Sequence, residues 1–104
     1  MKILAIEKEI PGLPDEAFRP HLQAEARAAW ELHQAGVIRE LYFRADQTSA
    51  VLILECEGLT AAKAALDTLP LVQAGLIEFE LIPLRAYPGF ARLFAQNDGS
   101  EPSP

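Results

Sequence analysis

The chain has 104 residues, of which 50% are hydrophobic and 23% charged, with a net charge of −6 at pH 7 and one cysteine. This is ordinary globular composition and enough chain for one domain around one core. Acidity without a Lys/Arg cluster argues against nucleic acid and anionic membranes as partners, and no apolar run is long enough to span a bilayer.

The opening MKILAI is too short for a secretory signal, because Glu7 interrupts it. Residues 2–9 are predicted as a strand, with Ile3, Ala5 and Glu7 on one side and Leu4, Ile6 and Lys8 on the other. Two largely apolar sides imply a sheet covered on both faces. A stiff loop, IPGLP, follows. Residues 15–34 are predicted as the long helix, since Phe18, Leu22, Ala26, Ala29 and His33 recur at helical spacing with Trp30 beside them. Pro20 moves its regular start toward Phe18 or Arg19, and Gly36 is the expected left-handed stop.

Residues 36–57, GVIRELYFRADQTSAVLILECE, read as a hairpin of strands 37–44 and 50–57 around the polar turn ADQTS. A turn centred between Asp46 and Thr48 would set Phe43 opposite Val51, Leu41 opposite Ile53 and Arg39 opposite Glu55. Cys56, alternating with Leu52 and Leu54, reads as a small buried hydrophobe, and a lone cysteine points to a reducing cytoplasm. Residues 60–69 are predicted as a second helix capped by Thr60, with Ala62, Ala65, Leu66 and Leu69 inward and Pro70 ending it. LVQAG then turns the chain. Residues 76–84 form the last strand, Ile77, Phe79 and Leu81 on one side and Glu78 and Glu80 on the other. The segment RAYPGFARLF carries three aromatics and is predicted to dock as an arm on its own subunit or a neighbour. Residues 95–104 have the composition of a disordered end.

The order β-α-β-β-α-β is that of a ferredoxin-like α+β domain over residues 1–94. The first and third strands are expected parallel at its centre, with the second and fourth at the edges. The face away from the helices would carry Leu4, Ile6, Leu52, Leu54, Tyr42 and Ile82, too apolar to leave in water. A second copy is its natural cover, which makes a homodimer of the dimeric α+β barrel kind.

Parallel central strands would bring Glu7 and Glu55 to one sheet edge, with Arg39 opposite Glu55 and the start of the long helix overhead. Glu7, His21, Arg39 and Glu55 would then surround one hollow walled by Phe18, Trp30 and Leu41. Crowded carboxylates raise one pKa, histidine titrates near neutrality, and arginine can grip a carboxylate with two parallel hydrogen bonds. Such a set suits proton transfer next to a carbonyl, with Glu7 or His21 moving the proton, Glu55 assisting and Arg39 holding the substrate. The structural alternative makes Arg39–Glu55 an ion pair and His21 a solvated helix residue. His33, late in the helix, reads as dipole compensation. No His/Cys/Asp spacing resembles a metal site.

GVIRELYFRA (residues 36–45) resembles the Gly-x-x-Arg-x-Leu-aromatic strand of muconolactone isomerases. TLPL (68–71) resembles the end of their second helix, and RAYP (85–88) their basic-x-Pro element near the tail. The resemblance covers about four-fifths of the chain and implies a dimeric α+β barrel assembled into rings of dimers. It also implies an isomerase that shifts a double bond in a small unsaturated lactone acid during aromatic catabolism, without metal or organic cofactor, with Arg39 as the polar position carried over. FRPHL (18–22) resembles the helix start of YciI-like proteins, which points to His21. Two other readings stand beside the isomerase: a non-catalytic small-ligand or assembly module, and a cofactor-free monooxygenase drawing on Trp30. A hollow filled by Phe18, Leu41 and Trp30 would favour the module.

Overall fold

The structure is a computed structural model and describes residues 1–94, so the predicted disordered tail, 95–104, lies outside the described residues. Four strands, β1 (Lys2–Glu9), β2 (Ile38–Phe43), β3 (Ala50–Glu55) and β4 (Ile77–Pro83), form one sheet in the order β2-β3-β1-β4. Helices α1 (Leu22–Gln34), α2 (Leu59–Leu66) and α3 (Pro70–Gln73) supply the connections. This is the α+β arrangement expected, with β2 and β4 at the edges.

The expected parallel pairing of β1 and β3 is overturned: every ladder in the sheet is antiparallel. The reason lies in the connections. A crossover through α1 sends β2 in the same direction as β1, and a hairpin then reverses β3 against both. The C-terminal end of β1 therefore meets the start of β3, while Lys2 pairs with Glu55.

The hairpin register also differs from the expected one. Phe43 pairs with Ala50 and Leu41 with Leu52, because the loop holds four residues between the Arg44 and Ser49 pair. A bulge between Ile38 and Glu40 then shifts the pairing by one more residue and sets Ile38 opposite Leu54. This one-residue slip exchanges the faces of β3. Ala50, Leu52 and Leu54 pack under the helices with Ile3 and Ala5, whereas Val51 and Ile53 take the open face with Leu4, Ile6 and Ile82. Leu52 and Leu54 are thus removed from the open face predicted for them. Cys56 packs half-buried against the core, and burial pushes its thiol up.

Two helical turns are tighter than expected. Asp15–Ala17 and Arg19–His21 are 3-10 turns, with Pro20 in the second, so the regular helix starts only at Leu22. It stops at Gly36 (φ +80°), where the Gly36 amide donates to His33 O and the Val37 amide to Leu32 O, both at 3.0 Å. Pro70 does not end α2, which closes at Asp67. It opens α3 instead, where its missing N–H costs nothing. No Thr60 cap forms; Gly58 holds the cap position of α2.

The core joins Ile3, Ile38 and Leu54 to Ala62, Leu66 and Leu69 of the α2 region. Beyond β4 the arm makes a final 3-10 turn at Gly89–Leu93. Tyr87, Phe90 and Phe94 remain exposed there, Phe94 by 85%. The radius of gyration is 17.8 Å, against about 13 Å for a compact domain of this length.

Candidate active site

The early part of α1 stands off the sheet. No α1 residue is fully buried, and Leu22 is 51% exposed although it faces the strands. The gap beneath it is a cavity of about 430 Å³, within the range of small-molecule sites. Phe18 and Leu22 form its roof, Leu41 and Phe43 one wall, and Leu71 and Phe79 another. The walls are overwhelmingly apolar. Glu7 rises from β1 and Glu25 descends from α1 into them, with Glu9 at the rim.

Glu7 reaches this position because it continues the Ile3–Ala5 side of β1, where the next inward residue is a carboxylate. Its Oε1 accepts the Ala50 amide at 3.1 Å. Burial pushes its carboxyl above the usual range. The Ala50 hydrogen bond opposes that shift, and the charges of Glu9 and Glu25 add to it. Glu25 lies one turn after Leu22 and one before Ala29, on the same helix face. Its Oε1 accepts the Leu71 amide at 2.9 Å, one of the unpaired N–H groups in the first turn of α3. Burial raises the Glu25 carboxyl too, while that hydrogen bond and the charge of nearby His21 lower it.

The four polar residues expected around one rim do not share it. Glu7 lies on the cavity, and His21 stands behind Glu25, outside the lining. Glu55 is at the other end of the strands, opposite Lys2, roughly 17 Å from Glu7 at ~3.3 Å per residue. Its Oε2 binds the amino-terminal ammonium at 2.6 Å, and that contact holds its carboxyl below the usual range. Arg39 falls in the bulge and donates through Nε to Gly36 O at 2.6 Å, so it neither pairs face to face with Glu55 nor lines the cavity. Antiparallel strands and the shifted register together dissolve the predicted cluster. Of the predicted apolar walls, Phe18 and Leu41 line the cavity. Trp30 does not: it is 58% exposed and its ring lies tilted against that of His33, centroids 5.7 Å apart, while His33 Nδ1 donates to Ile38 O at 2.8 Å.

Glu25 is the residue that the sequence reading passed over. Its signal was present: a carboxylate on the apolar stripe, at i+7 from Phe18 and i+3 from Leu22. Among the described residues, no group of His, Cys, Asp and Glu is arranged to hold a metal ion, and no helix is long and apolar enough to cross a membrane.

Solved structures that share this architecture include two enzymes of small-ring chemistry by their names. One is a muconolactone isomerase, with a TM-score of 0.70 and 19% identity over 85% of this chain and 92% of that one. The other is the 5-chloro-2-hydroxyhydroquinone dehydrochlorinase of Burkholderia phenoliruptrix AC1100 in complex with 2,5-dihydroxybenzoquinone, with a TM-score of 0.64 and 19% identity over 82% and 94%. At that identity the likeness establishes the fold alone. No curated protein sequence matches the chain. The profile of the muconolactone delta-isomerase family matches residues 5–89. With most of its length matched in this way, the chain belongs to the muconolactone delta-isomerase family.

Proposed function

We propose that the protein is an isomerase that needs no cofactor and shifts a double bond in a small unsaturated lactone or enol, with Glu7 as the group that moves the proton. The observation that carries this reading is a half-buried carboxylate of raised pKa inside an apolar cavity with a second carboxylate beside it. A raised pKa makes the Glu7 carboxylate a stronger base toward a C–H next to a carbonyl, and the acid it becomes can return the proton at the other end of the allylic system. The Ala50 amide fixes one oxygen and aims the other. Glu25 keeps the proton affinity of Glu7 high, and His21 favours the ionised form of Glu25. Family membership supports the reaction class. An open cavity supports catalysis over the non-catalytic module, since Phe18 and Leu41 wall it rather than fill it. Trp30, outside the lining, lends the monooxygenase reading no support.

The same proposal includes a role in aromatic catabolism, a cytoplasmic setting and a homodimer. In that dimer a second copy covers the open face of Leu4, Ile6, Val51, Ile53 and Ile82, giving the α+β barrel, and the exposed aromatic arm docks on a neighbouring copy in a larger ring. The test of the chemistry is ultraviolet spectroscopy of unsaturated lactones, muconolactone and its esters among them. Glu7→Gln should lower kcat by about 10²–10⁴-fold, while Arg39→Met and Glu55→Gln leave it unchanged. Full activity in Glu7→Gln, or unchanged absorbance with every lactone tried, overturns the reading.

A further inference from the structure

Taking a proton from a lactone leaves negative charge on its carbonyl oxygen, and a hydrogen-bond donor placed at that oxygen lowers the barrier. Among the described residues, Thr48 and Tyr42 carry the hydroxyls of the cavity lining. Tyr42 is engaged elsewhere: its hydroxyl donates to Glu40 at 2.8 Å, and it leaves β2 on the side opposite Leu41 and Phe43. The Thr48 hydroxyl has no hydrogen-bond partner among the described residues. The loop that carries it is nevertheless fixed. The Arg44 amide donates to Ser49 O at 2.9 Å, and Gln47 Nε2 donates to Ser49 Oγ at 3.4 Å.

The sheet sets Thr48 beside the base. Ala50 and Leu52 are on the inward side of β3, and Thr48 carries that alternation one step into the loop. All three line the cavity, whereas Ser49 between them does not. On the neighbouring strand, Glu7 extends the inward side of β1. The register that pairs Ile6 with Val51 brings Glu7 against Ala50, where the 3.1 Å hydrogen bond joins them. Continued outward, that register makes Thr48 the diagonal neighbour of Glu7, roughly 7 Å away. Base and donor at that spacing can reach two atoms of one small ring.

We propose that Thr48 is a second catalytic residue, whose hydroxyl donates to the lactone carbonyl oxygen as the enolate forms. The inference rests on the reading of Glu7 as the group that moves the proton. Glu7 takes the proton from a C–H conjugated with the carbonyl. The C–H electron pair becomes the new C=C, and the carbonyl π pair moves to oxygen. Thr48 keeps its own proton and holds that oxygen by a hydrogen bond. The carboxylic acid of Glu7 then returns the proton at the other end of the conjugated system, and the carbonyl re-forms. Thr48 is exposed at the mouth, on the lip that the cavity shares with the polar groove. A bound ring displaces water there, and the hydrogen bond strengthens as charge develops, so it favours the transition state over the bound substrate.

The test is the kinetics of Thr48→Val and Thr48→Ser in the full chain, followed by ultraviolet absorbance with muconolactone and its esters. Valine keeps the shape and removes the donor. Thr48→Val should lower kcat by about 10²-fold and leave KM within a few-fold. Thr48→Ser should keep most of the activity. The melting temperature of both variants should match that of the unaltered protein, and the limb of the pH–rate profile that reports Glu7 should stay in place, since a hydroxyl adds no charge. Unchanged kcat in Thr48→Val overturns the inference, and so does an equal loss in Thr48→Val and Thr48→Ser, which would mark a steric role. Loss of turnover in Glu7→Gln with full turnover in Thr48→Val removes Thr48 and leaves proton transfer by Glu7 standing. An unaltered protein that isomerises none of these lactones removes both.

Discussion

Glu7 and Glu25 link stability to pH with a sign opposite to that of Glu55. Their folded pKa values lie above the ordinary carboxylate value of 4.5, so between that value and the raised one the folded state binds more protons than the unfolded state. Stability contributed by these groups is therefore present at low pH and falls as pH rises through that window. Glu7→Gln keeps an acceptor for the Ala50 amide and removes the ionisation. It should raise the melting temperature at neutral pH and flatten its dependence on pH above 4.5, as thermal melts across a pH series would show. Glu55 is the reverse case. Its carboxyl is held low by the amino terminus, so its contribution is present above the ordinary value and is lost as pH falls. Side chains whose function depends on one tertiary neighbour are the least legible from sequence. Glu7 was recognisable because an apolar side of a strand ends in a carboxylate. Arg39 was misplaced because its neighbour was inferred from a register that does not exist.

At the scale of elements, the stop of α1 depends on one residue. Gly36 holds φ +80°, and a Cβ there would also meet the Arg39 guanidinium at 3.6 Å. Gly36→Ala should cost about 1–2 kcal/mol, measurable as a lower urea midpoint. The sheet core is less forgiving. Leu54 is 0% exposed and touches both the strands and the α2 region, so Leu54→Ala should cost about 2–5 kcal/mol, read in the same unfolding experiment. In the arm, Gly89 lies under the Tyr87 ring, which an added Cβ would strike. That close approach lets Tyr87 meet Phe90 edge-on at 5.0 Å, and the arm holds this shape without packing its aromatics on its own core.

The whole molecule leaves one sheet face open, with apolar side chains from three strands only half-buried. A charge placed there should separate the copies that the proposal joins: Ile53→Lys should convert a dimer or larger ring to monomer in light scattering after gel filtration, and an unaltered protein that already runs as a monomer would remove the barrel. The order of elements, the inward sides of β1 and β4 and the apolar surplus on the open face were all set by sequence. They follow from side-chain periodicity, which is local and survives in a linear string. The direction of β3 relative to β1 and the hairpin register were set only by the tertiary structure. Strand direction is a property of how two connections are laid across the sheet, and register depends on a four-residue loop and a bulge whose effects appear only when strands pair. Those two decisions carried Glu55 to the far end of the sheet and left Glu7 facing Glu25 across an open cavity.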